Sequence, residues 1–337
     1  MNLAKLNLNR FSIYLVLFAM FIGSSFLSPN FLSPENMTNI PRQLTVTTIL
    51  AFGQMMLIIC GMIDLSAGSV LALAGVMSAV TYRATGSLVL ALAVGIFIGI
   101  FCNLINAVMV ANFEVPAFIA TLAVGMVARG SVLLYTNGQN ILQLGGFTWL
   151  GQGSIGPLPV PVLFLVAVLA LTGYLVTQTR YGRAIYAVGG NEVAARASGI
   201  NVRWTKYQAF VLNGAFVGLA GVLFMSRVNA GLPNGAVGYE MEGLTSAVVG
   251  GTSFTGGVGT TLGTLAGAFI IGLLNNIMNL VGVQSYVQQI TKGIIIAIAV
   301  MYDIRSKRAR RAHVILKDDK PARPQKATES TRPVSNN

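Results

Sequence analysis

Ten apolar stretches, most of them long enough to cross a lipid bilayer as a helix, follow one another from Phe11 to Tyr302 with only short polar joints between them. A spanning helix needs about 20 apolar residues to bridge a hydrocarbon core of about 30 Å. The stretches are Phe11–Leu27, Leu44–Ile63, Ser66–Tyr82, Ser87–Ala111, Val115–Leu134, Pro159–Thr177, Tyr207–Ser226, Met241–Phe254, Thr260–Val281 and Tyr286–Tyr302. The third and eighth are short and rich in glycine, so either can be a broken or re-entrant segment. Only 9% of the residues are charged and 54% are hydrophobic, where a soluble domain carries about 25% charged residues. The expected fold is an all-α polytopic membrane protein with about ten transmembrane helices. Lys5 and Arg10 ahead of Phe11 look like the start of a signal peptide, but Pro29-Asn30-Phe31 offers no small-x-small cleavage site, so the stretch is taken as a retained first span.

The basic residues orient these spans. Residues 1–10 carry Lys5 and Arg10, and the connection Thr179–Lys206 carries Arg180, Arg183, Arg196, Arg203 and Lys206 against the single acid Glu192. From Ile304 onward ten basic residues face three acids, so this tail holds seven of the twelve excess positive charges. The positive-inside rule then places both termini and the 179–206 connection in the cytoplasm, which requires an even number of crossings. The division expected is a cytoplasmic amino end over 1–10, a membrane domain over 11–303 and a basic, disordered tail over 304–337. A tail so rich in Pro, Ser and Thr cannot bury enough apolar area to fold alone; its charge suits anionic lipid rather than nucleic acid.

Several chemistries lack their residues. Cys60 and Cys102 lie inside apolar runs, as small buried hydrophobes do. His313, the sole histidine, falls in the tail, which leaves none for a metal site or a catalytic triad in the membrane domain. No phosphate-binding Gly-x-x-x-x-Gly-Lys-Ser/Thr loop occurs, so the chain has no ATP site of that kind. There is no Gly-x-Ser-x-Gly and no pair of intramembrane aspartates for an intramembrane enzyme.

Polar groups inside the spans need a partner or a purpose, because a charge at the bilayer centre costs about 2.5–3.5 kcal/mol on insertion scales. Asp64, followed by Ser66, Gly68 and Ser69, either caps the start of the third span or borders a helix break along a solute path. Asn275, Asn276 and Asn279 form a stripe on the ninth span, since residues three and four apart share a helix face. With Gln54 and Asn213 they either glue helices together or line a wet path that is polar but uncharged. Arg129 is expected near an interface, snorkelling or paired with a carboxylate. Gly263, Gly267 and Gly272 form a small face for close helix contact. In the 179–206 connection, Asn191 reads as an N-cap, Glu192 as the first turn and Gly199 as the stop of a short helix whose Ala194, Ala195 and Ala197 keep it slim.

The stretches GMIDLSAGSVLALAG (61–75), VPAFIATLAVGMVARG (115–130), Gly182–Val202, GYEMEGLTSAVVGGTSFTGG (238–257) and LLNNIMNLVGVQSYVQQITKG within 263–303 occur in one order. Together they resemble the membrane permeases of bacterial ABC sugar importers, the ribose-permease branch, over about Pro29 to Asp303. Met62 and Ala67 depart from that pattern, where the family usually has Gly and Val. The resemblance implies a type II-like importer permease in the bacterial inner membrane. It also implies a second permease subunit, identical or paralogous, a periplasmic sugar-binding protein and a cytoplasmic ABC ATPase that binds the ATP, with no cofactor in this chain. It gives Asn191, Glu192, Ala194, Ala195, Arg196 and Gly199 the role of a coupling helix seated in the ATPase. Gln54, Asp64, Ser66, Asn213, Asn275, Asn276 and Asn279 become pathway candidates. The alternative is an ATP-independent transporter or channel for a small polar solute.

Overall fold

The computed structural model describes residues 3–318. Helices α1 (Leu3–Leu27), α2 (Pro34–Ile59), α3 (Ala67–Thr85), α4 (Leu88–Asn112) and α5 (Ala117–Thr136) come first. A short irregular segment follows, holding strands β1 (Ile141–Leu142), β2 (Ser154–Ile155) and β3 (Leu158–Pro159) and the single turn α6 (Trp149–Gln152). Next are α7 (Val160–Gln178), α8 (Arg180–Gly190), α9 (Glu192–Ala197), α10 (Val202–Val228) and strand β4 (Ala230–Gly231). The chain continues with α11 (Tyr239–Val249), α12 (Thr261–Leu280) and α13 (Ser285–Asp318).

The boundaries follow from local chemistry. Side-chain oxygens of Ser33, Ser87, Thr179, Asn191, Asn201 and Thr260 accept backbone N–H groups at the starts of α2, α4, α8, α9, α10 and α12, satisfying donors that have no partner inside the helix. Pro34 occupies the first turn of α2, where its missing N–H costs nothing. Gly86, Asn137 and Asn229 end α3, α5 and α10 in the left-handed conformation.

Eight of these helices are long and apolar enough to cross a membrane: α2, α3, α4, α5, α7, α10, α12 and α13. The remaining two expected spans are not among these eight. In α1, a helix of 25 residues, the apolar part found among the described residues is Ile13–Leu27. In the eighth stretch, α11 runs for 11 residues, which at 1.5 Å per residue covers about half of a bilayer core. Its end is set by Gly250 and Gly251, the latter at φ +88°. The third stretch, expected to be short, is an uninterrupted helix of 19 residues. At the carboxyl end α13 continues to Asp318 as helix, into the tail that composition marks as unable to fold alone. The rest of that tail lies outside the described residues.

Helices α2 and α10 form the centre, with 89% and 83% of their most apolar windows buried. Small residues permit this closeness. A methyl group on Gly214 of α10 would stand 2.5 Å from the Gly99 carbonyl oxygen of α4, and one on Gly250 would stand 2.5 Å from the Gly263 carbonyl oxygen of α12. Gly267 likewise meets α11, whereas Gly272 meets Leu44 of α2, so the small face of α12 serves two neighbours. Among the described residues the strands form only two short antiparallel pairs, β1 with β4 and β2 with β3. The first of them closes the end of α10 remote from α9. There the Ser226 hydroxyl donates to the Phe147 carbonyl and accepts from the Gly151 N–H, both at 2.6 Å.

Candidate functional site

Asp64 lies in the joint between α2 and α3 and has no exposed surface. Its Oδ1 accepts from the backbone N–H of Ser66 at 2.7 Å and from the Ser66 hydroxyl. Its Oδ2 accepts from Asn213 Nδ2 of α10 at 2.7 Å, and the same nitrogen donates to Asn103 Oδ1 of α4 at 2.9 Å. Gln54 of α2 grips the Asp64 backbone, donating to its carbonyl at 2.5 Å and accepting its N–H at 3.3 Å. Asn106 of α4 donates to the Ser66 hydroxyl at 3.2 Å, and Thr121 of α5 accepts the Leu65 N–H at 3.1 Å. Gln54, Asp64, Ser66, Asn103, Asn106, Thr121 and Asn213 are all fully enclosed. The carboxylate thus does help to fix the start of α3, but it also draws α2, α3, α4, α5 and α10 to one point. As buried polar groups do, its members mostly find partners in one another, the amide oxygens of Asn106 and Asn213 having none among the described residues. Asn103, Asn106 and Thr121 are absent from the sequence-based candidates; the signal for the first two is their spacing of three residues in a helix otherwise almost wholly apolar.

The asparagine stripe of α12 divides in three. Asn276 pairs head to head with Asn36 of α2, at 2.8 and 3.2 Å, and Asn36 also donates to the Phe31 carbonyl at 2.8 Å. Both are buried, so this pair joins helices. Asn279 is exposed and accepts from Gln288 of α13 at 2.8 Å. Asn275 donates to Glu242 Oε1 of α11 at 3.4 Å, and the same carboxylate forms an ion pair with Lys292 of α13. Charged side chains accompany the asparagines here. Glu242 and Lys292 bring charge to the asparagine face, and being fifty residues apart they are visible as a pair only once α11 and α13 meet.

Arg129 hydrogen-bonds backbone carbonyls rather than a carboxylate. Its guanidinium donates to the carbonyls of Pro233 and Gly235 at 2.5 and 3.0 Å, holding the segment between β4 and α11 against α5. Helix α13 is attached by polar ties: Lys292 to Glu242, Gln288 to Asn279, and Asp303, which accepts from Ser253 Oγ and the Phe254 N–H at 3.0 Å.

The short surface helix α9 forms as its sequence indicates. Asn191 Oδ1 accepts the Ala194 N–H at 3.0 Å, and Gly199 ends the turn at φ +81°. Glu192 is braced by Arg196 at 3.1 Å and by Lys206 of α10 at 3.0 Å. Ala194, Arg196 and Gly199 are exposed and Val193 is 79% exposed, whereas Ala195 is buried against the protein's own body. The small face carried by Ala195 therefore seats α9 on this chain and does not point outward. Beside α9 lies a cavity of about 640 Å³ lined by Gly61, Met62, Glu114, Val193, Arg203 and Lys206, among others.

Long apolar helices crossed by buried polar ties, with a charged helix standing out at one end, define a multi-pass membrane protein of the transport class. The chain belongs to the family described as branched-chain amino acid transport system / permease component, whose model matches residues 36–300. It is 41% identical over 286 residues to the ribose import permease protein RbsC of Escherichia coli (strain K12), covering 83% of this chain and 88% of that one. It is 40% identical over 293 residues to the ribose import permease protein RbsC of Bacillus subtilis (strain 168), covering 86% and 91%. With the L-arabinose ABC transporter permease protein AraH of Azospirillum brasilense it shares 34% identity over 306 residues, 90% of each chain. No solved structure matches the chain.

Proposed function

We propose that the chain is the membrane-spanning subunit of an ATP-driven importer for a monosaccharide, with a pentose favoured by the names of its ribose and arabinose relatives. In this reading α9 and both termini face the cytoplasm of a bacterial cell, as the basic residues around α9 favour. A separate ABC ATPase binds the ATP and seats α9, a periplasmic binding protein delivers sugar to the opposite end, and a second permease subunit completes the path. No cofactor belongs to this chain. The observation that carries the reading is α9 itself. It is capped, braced by two ion pairs and docked through Ala195, yet presents Val193, Ala194 and Arg196 to open space. A helix so fixed at its base transmits a push directly to α10, which begins five residues after it.

The same cluster of candidates contains no chain of acidic residues running through the spans, which argues against ion-coupled transport. A second reading follows from the family description, which names branched-chain amino acid transport. Both are tested in proteoliposomes holding the chain with its ATPase and binding protein, by uptake of labelled D-ribose, L-arabinose and L-leucine. The expected outcome is pentose uptake that needs ATP and both partners. Leucine uptake without pentose uptake defeats the sugar assignment, and uphill uptake by the chain alone defeats the importer assignment. Val193→Asp is expected to lower ATP-driven uptake at least tenfold without affecting membrane insertion, since Val193 touches little of its own chain and a charge there must be desolvated on seating. Undiminished uptake by that variant removes α9 from the coupling role.

A further inference from the structure

We propose that Glu242, Lys292 and Asn275 form a way-station on the permeation path that hydrogen-bonds the hydroxyl groups of a neutral sugar in transit. The inference rests on the importer assignment above and adds the residues that meet the solute. It begins from an ion pair placed between apolar helices. A Glu–Lys pair there is expensive to insert, and shape-matched uncharged side chains would serve packing as well or better. The second observation is unfilled hydrogen-bonding capacity at the same spot. Asn275 is buried, turns its nitrogen to Glu242 and leaves its Oδ1 with no partner among the described residues. Both ties to Glu242 run to Oε1, and Lys292 has three donors of which the carboxylate uses one.

The third observation is access. The side chains of Glu242 and Lys292 keep 11% and 25% of their surface, neighbouring Met241 is 38% exposed, and the apolar window of α13 beside them has none of its residues buried. A solute or a second permease subunit can reach this place, as neither can reach Asp64. The chemistry selects the solute class. The pair sums to zero charge, so it holds no ion by net attraction. It offers carboxylate and amide acceptors next to ammonium donors, and a sugar hydroxyl both donates and accepts. Hydrogen bonds with one ionised partner are the stronger kind, which favours a polyol over an apolar amino-acid side chain.

The test uses the whole importer, with its ATPase and binding protein, in proteoliposomes. The double variant Glu242→Gln/Lys292→Met removes both charges, keeps the shapes and leaves no lone charge behind. Uptake of labelled D-ribose, and of L-arabinose beside it, is expected to fall at least fivefold per assembled complex. ATP hydrolysis stimulated by the loaded binding protein is expected to stay within twofold of the unaltered protein, because α9 is untouched. A fall of less than fivefold, or one matched by an equal fall in stimulated hydrolysis, overturns the way-station. Should the double variant not assemble, Asn275→Ala decides under the same two criteria. Failure of the importer assignment is seen separately, in the unaltered protein, as pentose uptake that needs no ATPase or as none at all.

Discussion

Two polar clusters lie within this apolar bundle, and they differ in enclosure more than in composition. The Asp64 cluster gathers an acid, amides and hydroxyls from α2, α3, α4, α5 and α10, every one of them without exposed surface. The Glu242 cluster gathers an acid, amides and a lysine from α11, α12 and α13, and its charged groups remain in part exposed. Both clusters leave amide oxygens with no partner among the described residues, two in the first, on Asn106 and Asn213, and one in the second, on Asn275. Unfilled capacity therefore does not by itself mark a path. What separates the two is whether a solute can arrive. The first is packed around the two most buried spans, α2 and α10, whereas the last helix beside the second is attached by polar ties and packs on little.

If enclosure is the deciding difference, the largest effect on stability belongs to the first cluster. Asn213→Leu takes from Asp64 Oδ2 its donor and leaves Asn103 Oδ1 unserved, at a cost of about 3 kcal/mol for a buried carboxylate stripped of a partner. The expected outcome is a clear drop in the thermal unfolding temperature in detergent, with loss of assembled complex. In the same measurement Glu242→Gln/Lys292→Met is expected to unfold close to the unaltered protein. Equal losses in the two variants would erase the distinction drawn between the clusters.

The sequence carried the ends and order of most helices because those depend on neighbours in the chain. Ser33, Asn191 and Thr260 cap where local chemistry requires, and the apolar runs are long enough to be read without their partners. Two of its readings needed the packing to complete them. Met241–Phe254 reads as a short, glycine-rich stretch open to a break, and Gly250 and Gly251 do stop its helix, but only the packing of Gly250 on Gly263 shows why glycine stands there. Ala195 is small in either orientation; which face of α9 meets the body depends on where α10 places it. Gln54, Asp64, Ser66 and Asn213 were identified as polar residues needing an explanation, yet their convergence on one point is a property of five packed helices. Asn275, Asn276 and Asn279 share a helix face by spacing, and three different neighbours give them three different partners. Glu242 and Lys292 were missed because they lie fifty residues apart and nothing local to either one shows that they meet.

The smaller effects test the comparison within one helix, where composition is constant and only enclosure changes. Asn276→Leu breaks the pair with Asn36 but leaves Asn36 its bond to the Phe31 carbonyl, so about 1–2 kcal/mol of stability is expected to be lost. Sugar uptake per assembled complex should be unchanged, since both residues of that pair are buried between α2 and α12. Asn279→Leu, three residues further along, removes one exposed hydrogen bond to Gln288, and stability is expected to stay within about 0.5 kcal/mol. Its effect, if the open face is the path, appears in transport: a modest fall in pentose uptake with unfolding temperature unaltered. A reversed result, in which Asn276→Leu slows uptake at constant assembly and Asn279→Leu does not, would place the solute on the α2 side of α12 and empty the open face of its assigned role.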